Sequence, residues 1–284
     1  MTGAPFVVTP GPGSLSEAVR AAMLEAATRS ILPRYRRLAA HEVTEKAVGE
    51  SVTIADRESE EILSTRLAAL LPDASVVGEE AVHLDPSLMD RLGQGLCWII
   101  DPLDGTANFA NGQPPFGLLV ALAEGPHVIG GWILDPLTGR FCAAECGKGA
   151  YVDGQPFRSR PTHEMRPLVA ISRLFADQHR RAALVAGLSD RYRVVDSPRC
   201  AADQYPRVAF GENDLTIFER TIVWDHAAGV LFINEAGGRA ARLDGSPYRV
   251  DDDRTGMIVA TTPELWDGLA ARIAALGNAV HGRA

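Results

Sequence analysis

The sequence predicts a layered α+β fold built from two coupled halves. Up to Pro72 the apolar side chains recur at helical spacing, short apolar strands separated by turns follow from Ser75, and helices alternate with strands thereafter. Helices first, strands next and mixed elements last are typical of an α+β protein whose layers share a core. We expect one compact unit with halves 1–155 and 156–284, joined near residues 150–165.

Two helices are predicted to open the chain. Ser14 and Glu17 stand in the S-x-x-E capping-box pattern, and the apolar periodicity that follows ends at Pro33. A second helix is predicted to start near Asp56 and to stop at Pro72.

The middle of the chain is predicted to be a run of short strands. They are bounded by Gly- and Pro-containing turns and by the Asp153-Gly154 dipeptide, which favours a tight hairpin turn. The predicted strands are 76–77, 97–100, 116–123, 128–134 and 141–144.

The last part of the chain is predicted to alternate helices with strands. A helix that begins at Trp224 should end at Gly237-Gly238, a typical C-terminal stop, and a final helix should start at Pro263. The other predicted helices are 177–188 and 201–210, and the predicted strands are 192–195, 214–218 and 257–260.

Composition indicates a soluble globular protein. Of its 284 residues 46% are hydrophobic and 23% charged, which excludes a disordered or fibrous chain. The formal net charge of −8 gives no overall attraction to nucleic acid or to an anionic membrane, so neither is expected as a partner. An acidic protein that binds a polyanion must create positive potential locally, and bound divalent cations are one way to do so.

Targeting signals and cysteines favour a cytoplasmic protein. The first residues lack a basic segment followed by an apolar one, and the longest apolar stretch, 116–123, is too short to span a bilayer. The four cysteines, Cys97, Cys142, Cys146 and Cys200, are predicted to be ordinary half-buried thiols.

Three acidic motifs are candidates for chemistry: GEE at 78–80, WIIDPLDGTANF at 98–109 and WDHAAG at 224–229. In the second, a buried strand ends at Asp101, and a turn can bring Asp104 to the same point. The exposed amides and hydroxyl of Gly105 and Thr106 follow directly. Carboxylates beside free amides suit both Mg²⁺ and phosphate oxygens. Taken singly, the motifs also read as a surface loop, a solvated turn and a helix cap.

Taken together and in this order, the motifs resemble the inositol monophosphatase family, within the fructose-1,6-bisphosphatase-like superfamily of lithium-sensitive, metal-dependent phosphatases. The resemblance extends from about residue 14 to 276 and also includes VTIAD at 52–56 and EAGG at 235–238. It implies a layered αβαβα sandwich, a homodimer and Mg²⁺ as the cofactor, with two to three ions in each active site.

The resemblance implies a role for each matching residue. One Mg²⁺ would be held by Glu79, Asp101 and the carbonyl of Leu103. Glu79 would also be a catalytic residue. Asp101, Asp104 and Asp225 would hold a second, and a third, weaker ion would sit near Glu79. Asp104 and Asp225 would also border the bound substrate.

The resemblance also implies how phosphate and water would be handled. The amides of Gly105 and Thr106 would bind the phosphate. Thr106 paired with Asp56 resembles the family's dyad that orients and deprotonates the attacking water.

Three positions depart from the family pattern. Lys46 stands one residue nearer to Asp56 than expected, and reads as a phosphate-site lysine or as a solvated loop lysine. Arg199 occupies a place where glycine is common, and either binds a second anionic group of the substrate or points outward. Glu219, the candidate polyol-binding acid, precedes Asp225 by six residues, one fewer than usual.

We therefore predict a Mg²⁺-dependent phosphomonoesterase that hydrolyses a small polyol or sugar phosphate, similar to inositol monophosphate, by direct attack of a metal-activated water. Alternative substrates within the superfamily are fructose 1,6-bisphosphate, histidinol phosphate, 3′-phosphoadenosine 5′-phosphate and NADP. A non-catalytic regulator that binds a phosphorylated ligand is a further alternative. His226, beside Asp225, is interpreted as a supporting residue and not as an acid or base.

Overall fold

Two large β-sheets alternate with three layers of helices. The computed structural model describes residues 15–39, 42–47, 50–173 and 177–281, so Ser14 of the predicted capping box lies outside it. The described helices are α1 (Leu15–Ala26), α2 (Ile54–Leu70), α3 (Glu79–Leu84), α4 (Thr106–Ala110), α5 (Gln178–Leu188), α6 (Ala201–Ala209), α7 (Val223–Glu235) and α8 (Pro263–His281).

The described strands fall into sheets of two, seven and five strands. They are β1 (Val43–Ala47), β2 (Glu50–Thr53), β3 (Ser75–Gly78), β4 (Leu96–Asp104), β5 (Gly117–Glu124), β6 (His127–Leu134), β7 (Phe141–Glu145), β8 (Gly149–Val152), β9 (Gln155–Phe157), β10 (Leu168–Ile171), β11 (Arg193–Asp196), β12 (Leu215–Phe218), β13 (Arg239–Arg242) and β14 (Met257–Ala260).

The seven-stranded sheet keeps chain order from β3 to β9, with every pair antiparallel except β3–β4. α1 and α2 cover one of its faces. Their apolar sides close a core around Trp98 and Trp132, whose rings lie 5.7 Å apart. Thr53 caps α2, because its side chain accepts the N–H of Ala55 while Asp56 accepts the N–H of Thr53.

α6 and α7 fill the space between the two large sheets. They share one buried core with β4 to β7 on one side and with β13 and β14 on the other. The fit is tight: a Cβ on Gly131 would lie 2.7 Å from the carbonyl oxygen of Ala228 in α7. A methyl-sized group at this position cannot be accommodated without moving the helix.

The five-stranded sheet, in the order β11-β10-β12-β14-β13, carries α5 and α8 on its outer face. Trp266 of α8 packs on this sheet and donates its indole N–H to the carbonyl of Ile258 at 3.0 Å. The five layers form the predicted αβαβα sandwich. The predicted division at 155/156 falls within the β8–β9 hairpin and stays a prediction.

Most predicted elements are confirmed, and the differences have local causes. β4 continues through Pro102 to Asp104, although the strand was predicted to end at Asp101. The pairing with β5 shifts register between Asp101 and Asp104 and so accommodates the proline ring. The short elements β1, β2, β8, β9, β10, β13, α3 and α4 were not predicted, since three to six residues carry little periodicity.

All four cysteines are free, as predicted, but their predicted half-burial was wrong. Cys97, Cys142 and Cys200 are buried, and Cys146 is exposed. Among the described helices, none combines the length and the apolarity that crossing a membrane requires.

Gly131→Ala should destabilise the fold by about 1–3 kcal/mol, because the new methyl group meets the main chain of α7. Urea unfolding followed by circular dichroism measures the change. Gly277→Ala is the matched control: within the described residues its Cβ meets nothing within 4 Å, and alanine in an exposed helix should add about 0.5–1 kcal/mol. Equal stability of Gly131→Ala and the wild type would contradict this packing.

Candidate active site

A cavity of about 320 Å³ opens where the end of β4 meets the first turns of several helices. Residues 101–107 at the end of β4 form one wall, and the starts of α6 and α7 form another. The first turn of a helix carries unused N–H groups and partial positive charge, so it favours anions. The cavity therefore combines two features of opposite charge preference: acidic side chains, which favour cations, and main-chain N–H groups, which favour anions.

Five carboxylates line this cavity, and four of them, Glu79, Asp101, Asp104 and Asp225, are the predicted acidic metal ligands. Asp101 is only 1% exposed. Burial raises its pKa well above the usual value, and the negative charges of Glu79, Asp104 and Asp225 raise it further. The sequence-predicted metal ligands thus come together in one place, including Leu103, which also lines the cavity.

The other two aspartates are affected in the same direction. Burial raises the pKa of Asp225, followed by the charges of Asp104 and Glu79, while the charge of Arg220 lowers it. Burial also raises the pKa of Asp104, against the hydrogen bonds that it accepts. The negative charge of the pocket is therefore only partly balanced by this chain's own groups.

The donor set suits a hard divalent cation. Its ligand atoms are all oxygens, from carboxylates and a main-chain carbonyl, which is the preference of Mg²⁺ and Ca²⁺. In the described part of the chain, no three acidic, histidine or cysteine side chains are already arranged as a ligand cluster. Asp101 Oδ1 instead accepts the N–H of Leu103 at 3.0 Å, and Asp104 Oδ2 accepts that of Ala202 at 2.6 Å. Mg²⁺ would take the place of some of these contacts, so the residues fit the ion after side-chain adjustment.

Thr106 and Asp56 form the hydrogen-bonded pair that the sequence predicted. The hydroxyl of Thr106 donates to Asp56 Oδ1 at 2.9 Å, and its oxygen also lies 2.8 Å from the carbonyl oxygen of Leu103. Asp56 is 2% exposed, and its Oδ2 accepts from the N–H and the hydroxyl of Thr53 at 2.7 and 2.6 Å. Burial raises the pKa of Asp56 to about 7, where it can both accept and release a proton near neutrality.

Gly105 lets the chain turn from β4 into α4. Its φ of +81° is left-handed, and a Cβ would lie 2.8 Å from the carbonyl oxygen of Pro115. Asn108 stabilises the same turn by donating to the carbonyls of Pro115 and Pro198 at 2.8 and 3.2 Å. The N–H of Gly105 bonds to Asp104 and lowers the pKa of that carboxyl, so its predicted role towards phosphate competes with this contact.

The predicted substrate-selecting residues have different positions. Arg199 is exposed at the cavity, with a left-handed φ of 58°, and makes no hydrogen bond or ion pair to any other described residue. Glu219 also lines the cavity but lies 3.8 Å from the guanidinium of Arg180. The side chain of Lys46 lies outside the described residues.

Aromatic rings occupy the wall beside Asp225. The ring of Phe218, which lines the cavity, lies 4.5 Å from His226 and 5.4 Å from Tyr205. Burial lowers the pKa of His226 to about 3, and the hydroxyl of Tyr205 lies 2.9 Å from its Nδ1. The imidazole is therefore neutral and held in place, in agreement with its predicted supporting role.

Sequence reasoning missed two polar residues on α2. Ser59 and Glu60 are buried, and they follow Asp56 by three and four positions, so all three side chains share one helix face. Burial raises the pKa of Glu60 to about 7. Helical spacing from Asp56 was the signal that would have identified them.

Comparisons with known proteins agree with this geometry. The sequence profile of the inositol monophosphatase family matches residues 14–278. The chain is 29% identical over 229 residues to the inositol-1-monophosphatase of Bacillus subtilis, covering 78% of this chain and 83% of that protein. It is 31% identical over 245 residues to the histidinol-phosphatase of Chlorobaculum parvum, covering 82% and 85%.

A solved structure has the same fold as this protein. The Thermotoga maritima IMPase superposes with a TM-score of 0.77 at 22% identity, covering 93% of this chain and 98% of that one. Since the profile spans nearly the whole chain and includes every motif that builds the cavity, this protein belongs to the inositol monophosphatase family, a family of phosphatases.

Proposed function

We propose that this protein is a Mg²⁺-dependent phosphomonoesterase acting on a small phosphorylated metabolite. The observation that carries the proposal is the convergence of four carboxylates and the Thr106–Asp56 pair on one cavity. A neutral binding pocket for a phosphorylated ligand would not need so many mutually repelling carboxylates, so a catalytic metal site explains the arrangement better than a regulator does.

The chain's ligands divide into two sets. Glu79, Asp101 and the carbonyl of Leu103 would hold one Mg²⁺, and Asp101, Asp104 and Asp225 a second. A third ion near Glu79 would complete the two to three that we propose. When bound, Mg²⁺ neutralises phosphate oxygens and lowers the pKa of a water molecule.

Thr106 and Asp56 would handle the proton of the attacking water. When Asp56 is ionised, its Oδ1 accepts the hydroxyl proton of Thr106, which leaves the lone pairs of Oγ1 directed away from that bond. A water on that side can donate to Oγ1 and is oriented by it. Because the pKa of Asp56 is about 7, the pair can accept a proton at neutral pH. The hydrolysis then needs no serine or cysteine nucleophile.

The phosphate would be bound by main chain as well as by metal. The first turns of α6 and α7 line the cavity, and their partial positive charge favours phosphate oxygens. We assign two further donors to the phosphate, the N–H of Thr106 and the N–H of Gly105. The N–H of Gly105 would exchange its contact with Asp104 for one with the phosphate. These donors hold the phosphorus in line with the attacking water.

The leading substrate is a polyol or sugar phosphate, similar to inositol monophosphate, and a relative is named for histidinol phosphate. Arg199 favours a second candidate, an ester that carries a further anionic group. It is the exposed cation at the cavity that has no partner within the described residues, and a guanidinium binds phosphate or carboxylate by paired hydrogen bonds. Homodimer formation and lithium sensitivity stay predictions.

A panel of phosphate esters tests the proposed reaction. We expect release of inorganic phosphate from at least one of myo-inositol 1-phosphate, fructose 1,6-bisphosphate, histidinol phosphate, 3′-phosphoadenosine 5′-phosphate and NADP, with Mg²⁺ present and not with EDTA. Asp101→Asn removes a charge from the proposed bridging ligand and should nearly abolish turnover. Release that persists in EDTA, or full activity of Asp101→Asn, would place the chemistry elsewhere.

Mg²⁺ should stabilise the protein more at about pH 8 than at about pH 5. Folding raises the pKa of Asp56 from 3.8 to about 7, so its contribution to stability is present at acid pH and is lost as pH rises through about 7. The pKa values of Asp101 and Asp225 shift in the same direction. At the proposed ligands Asp101 and Asp225, Mg²⁺ would take the place of the protons and restore the stability that ionisation removes.

Differential scanning calorimetry with EDTA and with Mg²⁺ at both pH values measures this effect. In Asp101→Asn the Mg²⁺-dependent shift in melting temperature at the higher pH should shrink. An equal Mg²⁺ effect at both pH values would argue that the cavity binds no cation.

Arg199→Ala tests the second anionic group. Losing a charged hydrogen bond costs about 1.5–3 kcal/mol, so kcat/KM should fall at least about tenfold for fructose 1,6-bisphosphate. Fructose 1-phosphate, which lacks only the second phosphate, should be hydrolysed as well as by the wild type. Arg193→Ala, which removes an exposed arginine of β11 outside the cavity lining, is the control. Equal losses on the two esters would mean that Arg199 does not bind the second group.

A further inference from the structure

One face of α2 carries three buried polar side chains that reach three separate parts of the cavity wall. Asp56 accepts from Thr106 at the start of α4, at 2.9 Å. Ser59 donates to the carbonyl of Pro102 in the bulge of β4, at 3.0 Å. Glu60 bonds the first turn of α3, the helix that begins with Glu79. A single rigid helix thus sets the distances between the segments that supply the acidic groups.

Glu60 makes the most demanding of these contacts. Its Oε2 accepts the N–H of Glu80 at 2.7 Å, and its Oε1 accepts the N–H of Ala81 at 2.8 Å. Both N–H groups belong to the first turn of α3, which has no intrahelical acceptor for them. The carboxylate therefore fixes the position and the direction of the main chain that carries Glu79.

The opposite side of the carboxylate is closed by Gly78. A Cβ on Gly78 would lie 2.4 Å from Cδ of Glu60 and 2.6 Å from either oxygen. The glycine has an ordinary extended φ of −109°, so it is not required for backbone conformation. Its function here is to leave room for Glu60, which shows that the carboxylate and the Gly-Glu-Glu segment are fitted to each other.

A buried carboxylate at this position is energetically unfavourable, so some feature of the site must require it. Glu60 is 6% exposed, and the charges of Glu80 and Glu79 add to the burial that raises its pKa. A neutral glutamine would avoid the repulsion, yet its amide group offers one acceptor oxygen for two N–H donors. The site therefore requires a carboxylate, whose two oxygens each accept one N–H and so hold α3 in place.

We propose that Glu60 is a positioning residue for Mg²⁺ binding: by clamping the first turn of α3 between two carboxylate oxygens, it places Glu79 against the metal without touching metal or substrate itself. The inference rests on the proposed function, since it assumes that Glu79 is a metal ligand.

The test compares Glu60→Gln with Glu61→Gln. Both substitutions remove one negative charge from neighbouring positions of α2. Glu61, however, is exposed, and among the described residues it makes no side-chain hydrogen bond or ion pair with α3. The readout is the Mg²⁺ concentration that gives half of the maximal rise in melting temperature, with Mg²⁺ as the only ligand. Steady-state kinetics at saturating Mg²⁺ supply kcat separately.

Glu60→Gln should raise the half-maximal Mg²⁺ concentration about 10- to 100-fold, as loss of an orienting group behind a ligand commonly does. It should retain most of kcat once Mg²⁺ saturates, because Glu60 lies outside the reacting groups. Glu61→Gln should match the wild type in both. Equal Mg²⁺ dependence in the two variants, or a loss of kcat that Mg²⁺ does not restore, overturns the inference. Absence of any Mg²⁺ effect on the wild type overturns the proposed function instead.

A second variant keeps the test decisive if Glu60→Gln does not fold. Gly78→Ala leaves Glu60 intact but presses a methyl group onto its carboxylate. We expect it to weaken Mg²⁺ binding in the same assay, with Gly277→Ala as the control for a glycine substitution. Unchanged Mg²⁺ dependence in Gly78→Ala contradicts the clamp.

Discussion

The carboxylate of Asp101 is almost completely buried and lies among the negative charges of Glu79, Asp104 and Asp225. Charges removed from water cost several kcal/mol each, on the order of what a whole domain gains by folding, unless nearby groups compensate them. The surrounding main chain supplies part of that compensation, through amides such as those of Leu103 and Ala202. Mg²⁺ would supply the rest, and the elements around the cavity are arranged to make both contributions possible.

This arrangement explains several irregular features of the fold. β4 shifts register between Asp101 and Asp104, so the two carboxylates leave the regular alternation of a strand and face one cavity. Gly105 then turns the chain with a left-handed φ at a point where a side chain would strike Pro115. Strain and irregular backbone gather where the acidic groups meet, while the sheets on either side remain regular and well packed.

Sequence reasoning succeeded where one pattern determines one outcome. The periodic helices and strands, the layered class and the closeness of Asp101 to Asp104 follow from local patterns. That Asp225 joins them is what the resemblance to the family implies. It failed where the outcome depends on partners far along the chain: helical spacing from Asp56 could place Glu60 on the same face of α2, but only the structure shows its contact with α3, 20 residues later. The position of Phe218 beside His226 likewise depends on how the five-stranded half meets α6 and α7.

The reacting groups and the substrate-selecting groups belong to different parts of the architecture. Asp56, Glu79, Asp101 and Thr106 come from α2, α3, β4 and α4, in that order, and hydrogen bonds from α2 connect these elements. Arg199 and residues 218–220 come from connections that leave β11 and β12 of the other large sheet. Changes in these connections alter what lies opposite the phosphate without disturbing the carboxylates. Such a separation explains physically how relatives named for different substrates can share one carboxylate site.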